Sequence, residues 1–161
     1  MKKINFAFDK NPKQFGYDDF IFEILEKKIK KSVDTYYFAL DNNFMANDES
    51  QVKVILALIN YLNLLIEKIK GLGIDNVQLL YPIDFSDEYI GFLIIQKINE
   101  DNLKINYGIT SEKFGWSFNP SKSGEFDQNI KIEYFDNWDY VISISDFIND
   151  INLSIKQISG K

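Results

Sequence analysis

The stretch EYIGFLIIQKINEDNLKINYGIT (88–110) sets the architecture, because it holds two strand-like segments joined by a short polar loop. Both segments are rich in β-branched and aromatic residues, which favour strands. The linking NEDN (99–102) is typical of a hairpin loop. NVQLLYPIDF (76–85) predicts a third strand, in which Pro82 favours an edge or a bend. The sequence therefore predicts an antiparallel sheet in this half of the chain.

Apolar side chains at helical spacing predict three helices elsewhere. The first covers about 18–32, and the second covers about 50–70 and ends at Gly71. The third begins near Ser145, an N-cap residue type, and continues to the C-terminal end of the apolar pattern. VDTYYFAL (33–40) separates the first two helices and predicts a strand, because it is rich in β-branched and aromatic residues.

Two more strands are predicted after the meander, namely NIKIEYF (129–135) and YVISIS (140–145). DNWD (136–139) then becomes a hairpin loop that carries Trp138 at its tip. The resulting order of elements predicts an α+β fold, a mainly antiparallel sheet of about five to seven strands with helices packed on one face. A length of 161 residues suits a single domain that spans 1–161.

The composition excludes several kinds of chemistry. The chain has no cysteine and no histidine, and all 18 basic residues are lysine. Thiolate nucleophiles, Cys–zinc sites and Ser–His pairs are therefore impossible, and no arginine is present to clamp a phosphate. Gly71 and Gly73 follow a helix rather than a strand, so they do not form a dinucleotide-binding loop. We expect no cofactor, no metal and no enzymatic activity.

Carboxylates are the one chemically active group left in number. DFSDE (84–88) holds Asp84, Asp87 and Glu88, and FDNWD holds Asp136 and Asp139. Such pairs serve as acid and base in glycosidases or as ligands of Mg²⁺ and Ca²⁺. Neither stretch has the pattern of a calcium-binding loop, so solvated carboxylates in turns are the favoured interpretation. A carboxylate-dependent enzyme remains the less favoured alternative.

The charge distribution indicates what the protein binds. The net charge is −6, and residues 125–150 hold seven acidic residues against Lys131 alone. Such a field repels nucleic acids and anionic membranes and attracts basic partners. The longest apolar stretch, 54–66, is shorter than the roughly 20 residues of a transmembrane helix, and Ile4–Phe8 is too short for the apolar region of a signal peptide. We therefore expect a cytoplasmic protein.

Aromatic residues lie among these acids, and aromatic side chains anchor protein interfaces well. The sequence therefore predicts a partner-binding surface in this region. Its candidate residues are Trp116, Glu125, Phe126, Asp127, Asp136, Trp138, Asp139 and Tyr140. The alternative is that these aromatic side chains belong to the core and that the acids are ordinary surface residues.

With its overall acidity and stretches such as SGEFDQ (123–128) and YFDNWD (134–139), the chain resembles the small immunity proteins of contact-dependent growth inhibition and other polymorphic toxin systems. The resemblance implies a cytosolic antidote that binds a basic toxin domain, such as a nuclease, and covers its active site. A second hypothesis is a structural or adaptor domain that forms a homodimer or larger oligomer through an exposed sheet edge.

Overall fold

The structure is a computed structural model that describes residues 1–9, 20–75, 77–115, 119–122 and 129–160. Within these ranges the chain forms eight strands and three helices. The strands are β1 (Ile4–Phe8), β2 (Phe20–Ile24), β3 (Ile29–Val33), β4 (Gln78–Phe85), β5 (Ile90–Lys97), β6 (Asn102–Thr110), β7 (Glu133–Tyr134) and β8 (Tyr140–Ser143). The helices are α1 (Tyr36–Leu40), α2 (Gln51–Lys70) and α3 (Ile144–Ser159).

All strand pairs are antiparallel and fall into two sheets, which confirms the predicted α+β class. The first sheet has the order β1-β2-β3. The second has the order β4-β5-β6, and both β7 and β8 pair with β6. The three helices and the inner faces of both sheets share one large apolar core. The meander predicted from the sequence is therefore present, whereas the first sheet was not expected.

The prediction of a helix at 18–32 is wrong, because the described part of this segment forms the β2–β3 hairpin. Phe20, Phe22 and Ile24 alternate along β2 and are fully buried. Over so short a run, alternation and helical spacing select many of the same apolar positions, so the pattern did not separate them. Lys28 turns the hairpin with a φ of 55°.

The strand predicted over 33–40 is also wrong beyond Val33, since the rest of that segment forms the short helix α1. The side chain of Asp34 accepts a 2.6 Å hydrogen bond from the backbone N–H of Tyr36 and so favours a turn at this point. Burial of Tyr37 and Phe38 against the core holds α1 in place. Here tertiary packing outweighs the strand preference of these aromatic residues.

The second helix agrees with its prediction. Ser50 caps α2 by accepting a hydrogen bond from the backbone N–H of Lys53, and Gly71 follows its last turn. The side chain of Lys53 is fully buried, and its ammonium group donates a 2.6 Å hydrogen bond to the carbonyl oxygen of Ala39 in α1. Among the described residues, no helix is both long and apolar enough to cross a bilayer.

The third helix packs beside β1 and α2. Its N-cap is Ser143, two residues before the predicted Ser145, and the Ser143 hydroxyl accepts a 3.1 Å hydrogen bond from the backbone N–H of Asp146. Phe147, Ile151 and Ile158 form the buried face of α3, as its helical spacing predicted.

The interpretation of DNWD as a hairpin loop is wrong, because β7 and β8 do not pair with each other. Both strands lie along β6, with Tyr134 opposite Gly108 and Tyr140 opposite Ile105. Between β7 and β8 lies the 3₁₀ turn Asp136–Trp138, which interrupts the pairing of this segment with β6. The turn directs the Trp138 side chain into the core rather than to a loop tip.

A bulge in β4 positions the candidate site described below. The register shifts between Pro82 and Asp84, so Pro82 is opposite Phe92 while Asp84 is opposite Gly91. Residues directly opposite each other point to the same face, and Gly91 lies on the inner face with Leu93. The bulge therefore redirects the Asp84 carboxylate to the inner face of the second sheet.

Candidate functional site

The predicted partner-binding segment is described only in part. Trp116, Glu125, Phe126 and Asp127 lie outside the described residues. Asp136 and Asp139 are exposed near the 3₁₀ turn, whereas Trp138 and Tyr140 are buried.

The ring of Trp138 belongs to the core. Its centroid lies 5.6 Å from that of Phe22, with the rings stacked, and 5.1 Å from that of Tyr107. Only 6% of Trp138 is exposed, so a partner cannot use this ring as an anchor without unpacking the core. Tyr140 is similarly buried and donates a 3.0 Å hydrogen bond from its hydroxyl to Glu26.

Of the five acids in 125–150 that the structure describes, three are engaged within the chain. Asp139 lies 3.0 Å from the ammonium group of Lys104, and Asp146 lies 2.8 Å from that of Lys3. Asp150 is buried and accepts hydrogen bonds from the backbone N–H groups of Lys3 and Ile4. The field expected from this segment is therefore partly neutralised by intramolecular contacts.

Four carboxylates surround a cleft at the turn between β4 and β5. The cavity has a volume of about 710 Å³, within the range of ligand-binding clefts. Its lining residues are Lys31, Ser32, Asp34, Tyr36, Tyr37, Asp84, Phe85, Ser86, Asp87, Glu88 and Tyr89. Four of these are carboxylates and one is a lysine, so the lining carries a formal charge of −3. We call this cavity the acidic cleft.

Asp84 forms the floor of the acidic cleft and is almost completely buried. Its Oδ2 atom lies 3.0 Å from the ammonium group of Lys31 and accepts hydrogen bonds of 2.8 Å from Tyr107 and 3.2 Å from Tyr89. A buried carboxylate requires such partners, because burial without them costs several kcal/mol. Asp84 and Lys31 therefore satisfy each other, and their pair is part of the folded framework.

The same contacts shift the pKa values of Lys31, Tyr89 and Tyr107. Burial alone lowers the pKa of Lys31, but the charge of Asp84 and the hydrogen bond to it outweigh that effect and raise the pKa above its ordinary value. Burial, followed by the neighbouring charge of Asp84, raises the pKa of both Tyr89 and Tyr107. At neutral pH the lysine is charged and both hydroxyls are protonated.

Carboxylates at the rim of the cleft are more accessible to a partner than Asp84. Asp87 and Glu88 are exposed, and Asp34 is half-buried. The hydroxyl of Tyr37 donates a hydrogen bond to Asp87, and burial together with this bond raises the pKa of that tyrosine. The cleft therefore presents acceptor oxygens beside aromatic rings, an environment that suits an ammonium or guanidinium group.

The contacts of the DFSDE carboxylates bear on the enzyme alternative. Among the described residues, no group of three or more His, Cys, Asp or Glu side chains is placed to hold a metal ion. Asp84, the most buried carboxylate of DFSDE, is already bonded to a lysine and two tyrosines. All three contacts are made through its Oδ2 atom.

Sequence reasoning found part of this site and missed the rest. The sequence predicts a carboxylate cluster at DFSDE and a bend or edge at Pro82, but it also predicts that Asp84 is solvated. It places Lys31 in a helix and Asp34 in a strand. The proline was the available signal, because proline inside a strand accompanies edges and bulges, and a bulge changes which face the following residues occupy.

The chain matches no protein-family model, no curated protein and no solved structure.

Proposed function

We propose that this chain is an interaction protein that binds a basic protein partner in the acidic cleft and thereby neutralises it, as an immunity protein neutralises a toxin domain. The observation that carries the proposal is the cleft itself, a concave surface of about 710 Å³ whose lining has four carboxylates and one lysine. That lysine already pairs with Asp84, so the charge offered to a partner is negative.

Physical reasons favour a protein with basic side chains as the partner. Complementary charge raises the rate of association and disfavours acidic competitors. Tyrosine walls add contact area at a low cost in conformational entropy, as interface aromatics do elsewhere. The immunity role itself is supported by the resemblance of the chain to small acidic immunity proteins and by residue types that offer no common nucleophile–base pair.

The proposal differs from the sequence prediction in the surface that it uses. Asp136 and Asp139 remain candidates at the 3₁₀ turn, but Asp139 pairs with Lys104, and Trp138 and Tyr140 are buried. Direct contact through Trp138 and Tyr140 is therefore dropped from the proposal. The acidic cleft takes their place as the main binding surface.

The test begins with co-purification from native lysate at low salt and identification of the retained protein. Its affinity is then measured for the wild type and for two double variants with equal changes in charge, Asp87→Lys with Glu88→Lys and Glu133→Lys with Asp136→Lys. We expect the cleft variant to weaken binding about a hundredfold or more, because like charges at an interface cost several kcal/mol. The second variant is the matched control.

Two results would overturn the proposal. Equal weakening by both variants would indicate general attraction of charge rather than a defined cleft. Loss confined to the Glu133 and Asp136 variant would return the interface to the originally predicted segment. For the immunity role, a stoichiometric amount of the protein must also inhibit the activity of the partner in a direct assay, and an unaffected partner contradicts that role.

A further inference from the structure

The two edges of the first sheet differ in how their backbone groups are satisfied. At the β1 edge, Ile4 donates its backbone N–H to Asp150, and Phe6 donates its own to the hydroxyl of Ser154. Both acceptors are buried side chains of α3. The β1 edge is therefore covered, and no further strand can pair with it there.

The β3 edge lacks such a cover in the described part of the chain. Because Ile4 and Phe6 direct their backbone groups toward α3, alternation makes Asn5 pair with Glu23 by hydrogen bonds. Phe20 and Phe22 of β2 then direct their backbone groups to Val33 and Lys31 of β3. The backbone N–H and C=O groups of Lys30 and Ser32 therefore point away from the sheet. Both residues are exposed. Two outward-facing residues are thus available for pairing with another strand.

This edge borders the acidic cleft. Lys31, Ser32 and Asp34 all line the cavity, and the side chain of Lys31 points toward Asp84. In an antiparallel pair, directly opposed residues point to the same face. A residue opposite Lys31 or Val33 would therefore direct its side chain toward the carboxylates of the cleft.

The lysines of β3 do not oppose a basic strand as strongly as their number suggests. Lysines on an edge strand commonly discourage pairing with other chains. Here Lys31 is paired with Asp84 at 3.0 Å, and the ammonium group of Lys30 lies 3.9 Å from a carboxylate oxygen of Glu23. The cleft lining beside this edge keeps a formal charge of −3, with Lys31 already counted.

We propose that the partner adds an extended basic segment to the β3 edge as a fourth, antiparallel strand, with alternate lysine or arginine side chains in the acidic cleft. This inference rests on the proposed function and assigns the mode of recognition. Backbone hydrogen bonds to Lys30 and Ser32 supply part of the affinity, and the cleft supplies the preference for basic side chains.

The probe is a blocked six-residue peptide of alternating lysine and threonine, titrated into the full chain and followed by NMR. In the proposed pairing the lysines lie opposite Lys31 and Val33, so their own N–H groups point away from β3. The threonine N–H groups point toward Lys30 and Ser32. Methylation of the threonine nitrogens should weaken binding about tenfold or more, because backbone hydrogen bonds are lost.

Methylation of the lysine nitrogens is the matched control, and we expect it to leave the affinity within about twofold. Bound peptide should also slow hydrogen exchange at the amides of Lys30 and Ser32. The inference is overturned if both methylated peptides bind equally, if neither amide is protected, or if no peptide binds. It is also overturned if the free protein dimerises and Ser32→Pro makes it monomeric, since the edge then serves a second copy.

The variant Asp87→Asn with Glu88→Gln separates this inference from the proposed function. If threonine methylation weakens binding more than lysine methylation but the variant binds the peptide with wild-type affinity, strand addition stands and the role of the acidic cleft fails. If the variant loses binding but the two methylated peptides are equal, the cleft stands and strand addition fails.

Discussion

The hydroxyl of Tyr107 on β6 donates a 2.8 Å hydrogen bond to Asp84 on β4, and β5 lies between the two strands. Gly91 is the β5 residue over which the tyrosine reaches, since a Cβ atom there would lie 2.8 Å from the Cβ of Asp84 and would collide with the tyrosine hydroxyl. The floor of the acidic cleft therefore depends on a glycine and a bulge in neighbouring strands.

Loss of the Tyr107 hydroxyl should destabilise the protein. Tyr107→Phe removes a hydrogen bond to a buried carboxylate, so we expect the free energy of unfolding to fall by about 1 to 3 kcal/mol in a urea titration. The control is Tyr134→Phe, which removes an exposed 3.2 Å contact with Gln78 and should change stability by less than about 0.5 kcal/mol. Equal effects of the two variants would show that the buried hydrogen bond contributes no more to stability than the exposed one.

A methyl group at position 91 should be more disruptive than one at another glycine. Gly91→Ala forces Tyr107 or Asp84 to move, and overpacking of this kind typically costs about 1 to 3 kcal/mol. Gly71→Ala is the control, because its nearest atom is 3.6 Å from the added Cβ and its φ of −84° suits any residue. The control should be neutral or slightly stabilising. Thermal melting of both variants measures the difference, and a Gly91→Ala protein as stable as the wild type would contradict the packing described.

Asp150 on α3 bonds the backbone of β1, so replacing it should destabilise the protein more than replacing Asp146, one helical turn earlier. Asp150→Ala leaves the N–H groups of Lys3 and Ile4 without their 2.8 Å and 2.9 Å acceptor, so we expect a loss of about 3 kcal/mol or more. Asp146→Ala breaks a partly exposed ion pair with Lys3 and should destabilise the protein much less than Asp150→Ala does. Denaturant unfolding measures both, and the reverse order of effects would refute the assignment.

Stability should decline at alkaline pH. Burial and the hydrogen bond to Glu26 raise the pKa of Tyr140 from 10.0 to about 12, and burial also raises the pKa of Tyr37, Tyr89 and Tyr107. Above pH 10 the unfolded chain releases these protons before the folded chain does, so the free energy of unfolding falls as pH rises. The decrease should begin near pH 10 and continue through about 12. Tyr140→Phe should make it less steep, and a stability that does not change across this range would contradict the burial of these hydroxyls.

The parts of the fold that the sequence predicted are those where local pattern and tertiary packing agree. The α2 helix has a long apolar stripe and an N-cap at Ser50, and the β5–β6 hairpin has strong strand preference on both sides of a polar loop. The β2–β3 hairpin was mistaken for a helix because its apolar positions also fit helical spacing. Its strand pairing is fixed by β1, which lies outside the segment that the helical pattern covers.

The candidate site was harder to predict for a related reason. Strict alternation along β4 places Asp84 on the same face as Leu80 and Pro82, and only the bulge moves it toward Lys31. The burial of Trp138 depends in the same way on a 3₁₀ turn between two strands that both pair with β6. Neither irregularity has a strong signature in the local sequence, because each arises from pairing with a neighbouring strand.

The most direct measurement is the NMR footprint of the identified partner on the uniformly labelled protein. We predict that the amides shifted by the partner cluster around the acidic cleft, at Ser32, Asp34, Asp87, Glu88 and Tyr89. Shifts confined to the segment from Glu133 to Asp146, with those five amides unmoved, would contradict binding in the cleft.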